Sequence, residues 1–566
     1  MNLYHIITAL SLILPIPIGT YMGKDFLGID FPLFMGLVIQ AIVGNIILLY
    51  VRGYEHDKLK QIFIGYFLFF GGLSGSYLAG KSSWLWFYWE LTTLGAFFIY
   101  SGQGYSIKAI RSLIALFLGS GISMVLIAAW VFLPEGTVGY TFLLGGVLIK
   151  AAFSTAHIWL PEAHSGPPAH GSAAYSGLLI NLPLLLFVRY VMPHWNEIGL
   201  ATYLIPIAGI GVFFGGVSAF FSSDVKKALA YSTIENSNFM WLCLFLVGLW
   251  IGNSDPGLDN IGRSFLILFY ITIIHHALSK TFQFLSVGYL CKIGNSTWID
   301  ELKGVGRLSG ISASLLGVGA FSFSLLPGST GFISEATLLY LNSLIIDLPT
   351  TSSIFVLPAI VFIIFGLAMG SAAHLRIYLP LSLSVPNPSR SLSVAEGSLN
   401  PMITLSLRML GGLIFLLPLS LPLYVYYIPG IAEWVPEYLK VWVIHLTVFS
   451  AISVLFFLSI MLFKWMHRIK KRRLWDCGSD YAGSELSIRS SVISEPLFLS
   501  SGRYFHYKDG VSKVDDLILR TLSFSLNLGK LWIDRVESGS LPQYLSFSAV
   551  SLLISSLGIY VLKVYL

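Results

Sequence analysis

The chain has 566 residues, of which 55% are hydrophobic and only 11% are charged. A soluble protein of this size carries about 25% charged residues, so the composition excludes a soluble enzyme and predicts a polytopic membrane protein. The formal net charge of +6 is explained by membrane topology, and we expect no nucleic-acid partner.

Apolar stretches long enough to cross a bilayer as helices recur along the whole chain. They predict an all-α fold with about fifteen transmembrane helices. The first stretch lacks a basic n-region and an Ala-x-Ala cleavage site, and we interpret it as a retained span rather than a signal peptide. The predicted spans are 3–22, 32–51, 60–79, 84–101, 112–133, 139–160, 172–193, 203–221, 228–251, 264–290, 309–345, 353–376, 402–428, 441–465 and 544–563.

Two of these spans contain helix-breaking residues. The eleventh is too long for one straight helix and must break at Leu326-Pro327-Gly328-Ser329-Thr330-Gly331, because Pro removes a backbone donor and Gly loosens the backbone. The sixth ends at Trp159-Leu160-Pro161, which is a second interruption marked by Pro. Interrupted spans in corresponding parts of two halves are typical of inverted-repeat transporters, so we predict two half-channels with broken helices.

The chain is divided into N-terminal spans (1–59), a first half (60–251), a second half (252–430) and a C-terminal extension (431–566). The extension is predicted to contain a cytoplasmic loop, an amphipathic helix over 514–536 and the last span. That helix lies on the membrane or a neighbouring subunit, or else caps its own bundle. Lys and Arg concentrate in the loops after even-numbered spans, which places the N-terminus in the cytoplasm and the protein in the inner (plasma) membrane.

A few charged residues lie deep in apolar spans, where charge is costly and usually functional. Lys150 is isolated in the sixth span, Glu90 lies in the fourth, and Lys280 lies in the tenth. Glu90 and Lys150 could form a switchable pair for proton transfer or a static buried ion pair. The Pro327-Gly328 break is predicted to be a hydrated hinge beside Lys280.

Other polar residues near the breaks could serve either in proton transport or in the structure. Imidazole accepts on one nitrogen and donates on the other, so a set of histidines can relay protons, although any one can be structural. Glu335 is either an outlet acid or a helix-end charge facing water, and Asp224, Lys226 and Lys227 are most simply topology anchors. Three scattered cysteines predict no cluster or metal site in this chain. The histidines are His157, His164, His170, His275 and His276.

The same residues carry a family resemblance, from about residue 30 to about residue 430. The motifs, in chain order, resemble those of the antiporter-like subunits of respiratory complex I and their relatives. Ile234-Glu235-Asn236, Trp475-Asp476-Cys477-Gly478 and Glu495-Pro496-Leu497 resemble the branch of formate hydrogenlyases and energy-converting hydrogenases. The shared motifs are Trp89-Glu90-Leu91, Leu148-Ile149-Lys150, His157-Ile158-Trp159-Leu160-Pro161-Glu162-Ala163-His164, Asp224 to Ser232, His276-Ala277-Leu278-Ser279-Lys280 and Gly331-Phe332-Ile333-Ser334-Glu335.

The resemblance implies that the two halves are antiporter-like and assigns a role to each matching residue. Glu90 and Lys150 would be the charged pair of the first half-channel, and His157 would belong to its relay. Lys280 would be the central lysine and Glu335 the outlet acid, with His276 between them. Asn181 departs from the pattern, since many members carry a second Lys there, and Thr272 stands where several carry a His.

We therefore predict a membrane subunit that translocates protons or Na⁺ within a redox-driven complex. The chain itself would bind no cofactor. Its partners would be other membrane subunits of the same complex and soluble redox subunits, and the soluble subunits would carry iron–sulfur clusters. The alternatives are a cation/proton antiporter without redox coupling, and a non-conducting scaffold in an inorganic-carbon uptake complex.

Overall fold

A computed structural model of the protein describes residues 31–55, 58–101, 107–251, 254–309, 311, 313–324, 326–346, 353–384, 400–427 and 431–466. Regular structure in these residues is helical, apart from one isolated β-bridge between Asp224 and Trp298. Nine helices of the described part are long and apolar enough to cross a membrane. The all-α polytopic fold class is thus confirmed. The predicted segments 3–22, 514–536 and 544–563 lie outside the described residues.

The helices follow the predicted spans closely, because long apolar runs satisfy their backbone groups internally when they are helical. In chain order they are α1 Phe31–Tyr54, α2 Leu59–Leu78, α3 Ser83–Ser101, α4 Ile107–Phe132, α5 Thr137–Lys150, α6 Trp159–Ser165, α7 Ala169–Ile198, α8 Ala201–Phe221, α9 Val225–Trp250, α10 Pro256–Gly294, α11 Val305–Leu308, α12 Ala313–Ser322, α13 Thr330–Ile346, α14 Ser353–Leu383, α15 Pro401–Tyr427, α16 Ile431–Trp434 and α17 Glu437–Met466.

Helix α10 is the centre of the bundle. It has 39 residues and packs against α1, α7, α9, α13 and α15. Residues 169–188 of helix α7 are all buried, and the helix widens into π-helical turns at Tyr175–Leu179 and Phe187–Val191. Such widened turns are rare and often occur at functional sites.

Glycine lets two helix pairs approach closely. A Cβ atom on Gly65 of α2 would lie 2.6 Å from the backbone nitrogen of Ile99 on α3. A Cβ atom on Gly366 of α14 would lie 2.7 Å from the backbone nitrogen of Phe213 on α8. Small residues at such contacts are how apolar helices gain van der Waals packing without a hydrophobic driving force between them.

The sixth predicted span is interrupted, but not where Pro161 suggested. Helix α5 ends at Lys150, and the chain is irregular over 151–158 before α6 begins. Ala152 and Thr155 adopt positive φ angles of 51° and 81°. The prediction of a span reaching 160 and breaking at Pro161 is therefore wrong. Pro161 lies in the first turn of α6, where a missing N–H is harmless.

Side chains of α9 satisfy the backbone groups that this break releases. Ser237 Oγ donates to the carbonyl oxygen of Ala151 at 2.5 Å, and the Ser154 N–H donates to Asn238 Oδ1 at 3.0 Å. Irregular backbone at membrane depth is tolerated only where protein or water satisfies it. Helix α9 therefore determines where α5 stops.

The predicted break of the eleventh span is confirmed. Helix α12 ends at Ser322 and α13 begins at Thr330. Gly328 has a φ of 112°, a conformation that L side chains rarely adopt. Ser329 Oγ then accepts the backbone N–H of Phe332 at 3.1 Å, which caps the start of α13.

Candidate functional site

The first site surrounds Lys150, the last residue of α5, which is completely buried. Its ammonium group donates hydrogen bonds to the hydroxyls of Ser120 on α4 and Thr93 on α3, the latter at 3.1 Å. The indole ring of Trp89 has its centroid 5.4 Å from Nζ. Neutral oxygen atoms and an aromatic ring therefore hold this lysine at the edge of the first helix break.

Glu90 reaches Lys150 through Ser120. Glu90 is only partly buried on α3, and Ser120 Oγ donates to its Oε2 at 3.4 Å. The same hydroxyl accepts the hydrogen bond from Lys150. The structure thus brings the two predicted partners together across three helices, with a hydroxyl that both accepts and donates between them.

The second site surrounds Lys280, which is completely buried in the middle of α10. Its ammonium group donates to Ser232 Oγ on α9 at 2.6 Å and to Gln283 Oε1 at 3.5 Å. The ring of Phe323, in the second helix break, has its centroid 4.3 Å from Nζ. This lysine is also held by neutral groups and an aromatic ring beside a break.

Hydrogen bonding fixes the tautomer of His374, a buried residue of α14. Gln283 Nε2 donates to the Gly319 carbonyl at 2.7 Å, and its Oε1 accepts from Lys280, so the amide orientation is determined. Gln283 Nε2 also lies 3.1 Å from His374 Nδ1, which must then accept. The Nε2–H of His374 therefore donates to Ser232 Oγ at 2.9 Å.

Four residues of the second site were not predicted as site residues. Glu235 is 4% exposed on α9, and Gly370 of α14 leaves the space that its carboxyl occupies. Glu235 interacts electrostatically both with Lys280, the central lysine, and with Glu335, the predicted outlet acid. Two of these residues could have been found from the sequence, because each is the only residue of its kind in a long apolar helix. Glu235 is the only acid in α9, and His374 is the only histidine in α14. The four residues are Ser232, Glu235, Gln283 and His374.

The predicted histidines lie near the two sites. His157 is in the first break, with its ring 4.8 Å from that of Phe214. His276 precedes Lys280 by one helical turn on α10. His275 Nδ1 lies 3.2 Å from Ser279 Oγ. His275 Nε2 lies against the first turn of α13, since a Cβ atom built on Gly331 would be 3.2 Å from this nitrogen.

Several polar atoms along α10 and α13 are buried without a hydrogen-bond partner among the described residues. Buried polar groups are normally satisfied by protein or by ordered water, so a run of such atoms marks a place suited to water. Glu335 belongs to this run and is 8% exposed, so it is buried rather than at a surface. The atoms are His275 Nε2, both ring nitrogens of His276, Thr330 Oγ1, Ser334 Oγ, Glu335 Oε2 and both amide atoms of Asn342.

The residues that we interpreted as topology anchors form a buried, paired cluster. Asp224 caps α9 by accepting from the N–H groups of Lys226 and Lys227, at 2.9 and 3.1 Å. Lys227 forms an ion pair with Glu162 of α6 at 2.5 Å. Lys226 Nζ donates to the Pro167 carbonyl at 2.5 Å. The cluster ties α9 to the segment that follows the first break.

Asn181 is buried in α7, and its amide donates to the Gly177 carbonyl of the same helix at 2.8 Å.

No group of three or more His, Cys, Asp or Glu side chains is placed to hold a metal ion within the described ranges. The assignment of iron–sulfur clusters to partner subunits stays a prediction.

The fold and the site define a class of protein: a polytopic helical membrane protein with two buried lysines beside helix breaks. A family model described as NADH:quinone oxidoreductase/Mrp antiporter, TM, matches residues 94–362. This match covers just under half of the chain, and in that region the chain is similar to the membrane subunits that the family model describes.

The chain is similar in sequence to proteins named as antiporter subunit mnhA2. It is 25% identical over 337 residues to that of Staphylococcus saprophyticus, covering 54% of this chain and 41% of the relative. It is 24% identical over 365 residues to that of Staphylococcus aureus, covering 59% and 44%. The matched region thus spans less than half the length of these relatives.

Two solved structures share the fold. A chain of the membrane-bound sulfane sulfur reductase, an archaeal respiratory membrane complex, aligns with a TM-score of 0.61 and 17% identity over 92% of this chain and 88% of that chain. A chain of the Mrp complex from Dietzia sp. DQ12-45-1b aligns with a TM-score of 0.57 and 16% identity over 93% and 55%.

Proposed function

We propose that the chain translocates protons through two half-channels, centred on Lys150 and Lys280, as one membrane subunit of a multisubunit complex. The observation that carries this proposal is that both buried lysines contact neutral hydroxyl or amide groups and no carboxylate directly among their hydrogen bonds. When a lysine held in this way releases its proton, no directly bonded carboxylate loses its positive partner. Charges at such depth are rarely kept for packing alone.

The two sites are built alike, which supports a pair of related half-channels. In each, a serine hydroxyl on a neighbouring helix accepts from the lysine, an aromatic ring lies near Nζ, and a helix break adjoins the site. Glu90 follows Ser120 in the first site, and Glu235 lies one turn from Ser232 in the second. We assign each glutamate to the control of its lysine, and Glu335 to proton release.

Water belongs in the second half-channel. The unpartnered atoms of His275 and His276 lie on α10, and that of Glu335 lies on α13, which begins after the break and packs against α10. Without water, each would cost free energy at membrane depth. A hydrated path there would connect Lys280, by way of Glu235, with Glu335.

Coupling to redox chemistry is the first version of the proposal. The likeness to the sulfane sulfur reductase subunit extends over nearly all of both chains, and that complex is described as respiratory. In this version, soluble partner subunits carry iron–sulfur clusters, and the chain lies in the inner membrane with a cytoplasmic N-terminus. About fifteen spans in two inverted repeats complete the arrangement.

Cation/proton antiport without redox coupling is the second version. The relatives in Staphylococcus are named as antiporter subunits, and the Mrp chain shares the fold. The same lysine sites serve both versions, since each requires a proton path across the membrane. They differ in the driving force and in the proteins that associate with the chain.

One purification tests both versions. The complex is isolated in mild detergent through a tag on this chain, its subunits are identified, and its iron and acid-labile sulfide are measured. It is then reconstituted in vesicles containing a pH-sensitive dye. Iron–sulfur subunits with flux driven by their electron donor support the first version. Flux driven by a Na⁺ gradient alone supports the second.

Lys280→Ala distinguishes translocation from a scaffold role. We expect flux per assembled complex to fall at least about a hundredfold, as for loss of a positioned acid–base group. Lys303→Ala, in the loop after α10, is the control and should retain wild-type flux. Equal flux in the two variants would favour a non-conducting scaffold and contradict the proposal.

A further inference from the structure

A third buried polar cluster lies apart from both lysine sites, where α1 ends and α7 begins. His170, in the first turn of α7, is completely buried. Its Nε2 lies 3.2 Å from Glu55 Oε1, and its Nδ1 lies 2.8 Å from the hydroxyl of Tyr66 on α2. An imidazole between a carboxylate and a phenol has a proton donor or acceptor at each nitrogen.

The cluster extends from solvent to the interior. The Glu55 side chain is 15% exposed, whereas His170 and Tyr66 are fully buried. Tyr66 interacts electrostatically with Tyr175, whose ring lies 6.0 Å from that of His164. Polar groups therefore continue inward from the cluster.

His164 connects this direction with the second site. His164 Nδ1 donates to the Leu160 carbonyl at 2.9 Å, and its Nε2 is buried without a hydrogen-bond partner among the described residues. His164 interacts electrostatically with His276 and with Lys280. The unpartnered nitrogen of His164 is thus available as a proton acceptor in the interior of the bundle.

Two cations face His170. Lys292 of α10 interacts electrostatically with it while donating to the Tyr54 carbonyl at 2.6 Å. Lys226 of α9 interacts with it from the side of Pro167. These cations oppose a lasting positive charge on His170, and Glu55 is the anion that compensates for one in transit.

We propose that Glu55, His170 and Tyr66 form a proton-uptake relay that delivers protons from the aqueous edge to the interior of the bundle. The relay rests on the proposed function, since it requires that the chain translocates protons. It adds a route of proton supply from the aqueous edge to the interior, where the two lysine sites lie.

The steps balance in protons. Glu55 takes a proton from water and passes it to His170 Nε2 while Nδ1 gives its own proton to the Tyr66 oxygen. Tyr66 at the same time releases its hydroxyl proton to a water molecule on its inner side, which is the acceptor that this step requires. Each residue ends with the number of protons it had, except that the proton on His170 has moved from Nδ1 to Nε2. The starting tautomer is then restored without net transfer, when water from the side of Glu55 protonates Nδ1 while Nε2 gives its proton to the Glu55 carboxylate, which returns it to the same water.

Variants of Tyr66 and His170 test the relay in the reconstituted complex, under whichever driving force supports proton flux in the wild type. Tyr66→Phe removes only the hydroxyl, and His170→Gln retains polarity without titrating. Each should lower proton flux per assembled complex at least about tenfold. Tyr77→Phe, at another buried tyrosine of α2, is the matched control and should stay within about twofold of wild type.

Glu55→Gln provides a readout that a purely structural role would not move. Because Glu55 is partly exposed, millimolar imidazole in the outer buffer should restore its lost flux by delivering protons directly to His170. The pH profile of flux should also change in this variant. Imidazole should not restore Tyr66→Phe, whose defect lies further inside.

The outcomes separate the two proposals. Absence of proton flux in the wild-type complex under either driving force contradicts the proposed function, and the relay with it. Wild-type flux with equal rates in Tyr66→Phe and Tyr77→Phe overturns the relay alone. A loss explained wholly by less assembled complex, with no imidazole rescue of Glu55→Gln, also overturns it.

Discussion

Ser120 should control proton transfer between Glu90 and Lys150, because its hydroxyl contacts both. Ser120→Ala removes the acceptor for the Lys150 ammonium and the donor to Glu90, and leaves only the Thr93 hydroxyl, 3.1 Å from Nζ. A hydrogen bond to a charged group contributes about 1.5–3 kcal/mol. If that difference acts on the proton-transfer step, the rate falls about 10- to 150-fold, since about 1.4 kcal/mol is tenfold in rate.

The assay is the initial rate of dye-reported proton flux in vesicles, normalised to assembled complex. Ser112→Ala is the matched control, because Ser112 lies on the same helix α4 and donates to the Glu162 carbonyl at 2.6 Å, outside the contacts of Lys150. Glu90→Gln should lower flux much less in the Ser120→Ala background than in the wild type, because substitutions of residues that share a contact are not additive. Flux in Ser120→Ala within about twofold of Ser112→Ala would refute the hydroxyl bridge.

Three further predictions follow from the same sites. Lys150→Arg should assemble but not translocate protons, because Arg does not lose its proton in proteins; full flux would remove Lys150 from the mechanism. Glu235→Gln should slow flux strongly at unchanged assembly, since Glu235 interacts electrostatically with both Lys280 and Glu335. Glu433→Gln, outside both sites, is the control, and equal flux in the two variants would exclude Glu235 from the path. Gly328→Ala should lower the free energy of unfolding by about 1–3 kcal/mol, because its φ of 112° strains an L side chain. Thermal unfolding in detergent measures this against Gly317→Ala, which meets no atom within 4 Å.

Cysteine scanning tests water at the second break. Single cysteines from Ser324 to Glu335 are treated with a membrane-impermeant, water-soluble thiol reagent in complex that retains flux. We expect reaction at Ser334 and Thr330, whose hydroxyls are buried without partners among the described residues. A wholly unreactive stretch would mean that the break is dry, and Lys280 would then be a buried structural charge.

Local chemistry explains what could be predicted from the sequence. Long apolar runs specify helices, so the described helices follow the predicted spans. Leu326 to Gly331 specify a break, because Pro and Gly act on their own backbone. Lys150 and Lys280 stood out because a charge in an apolar span is costly wherever that span packs.

The tertiary structure decided the rest, because the partners lie far apart in the chain. Lys280 contacts a serine 48 residues away, and that serine contacts His374 across 142 residues. The first break lies at 151–158 rather than at Pro161, since Ser237 and Asn238, more than 80 residues away, satisfy the released backbone groups there. Spacing along the sequence cannot reveal which side chains meet when helices pack, so the hydroxyls, Glu235 and the His170 cluster became visible only in the folded chain.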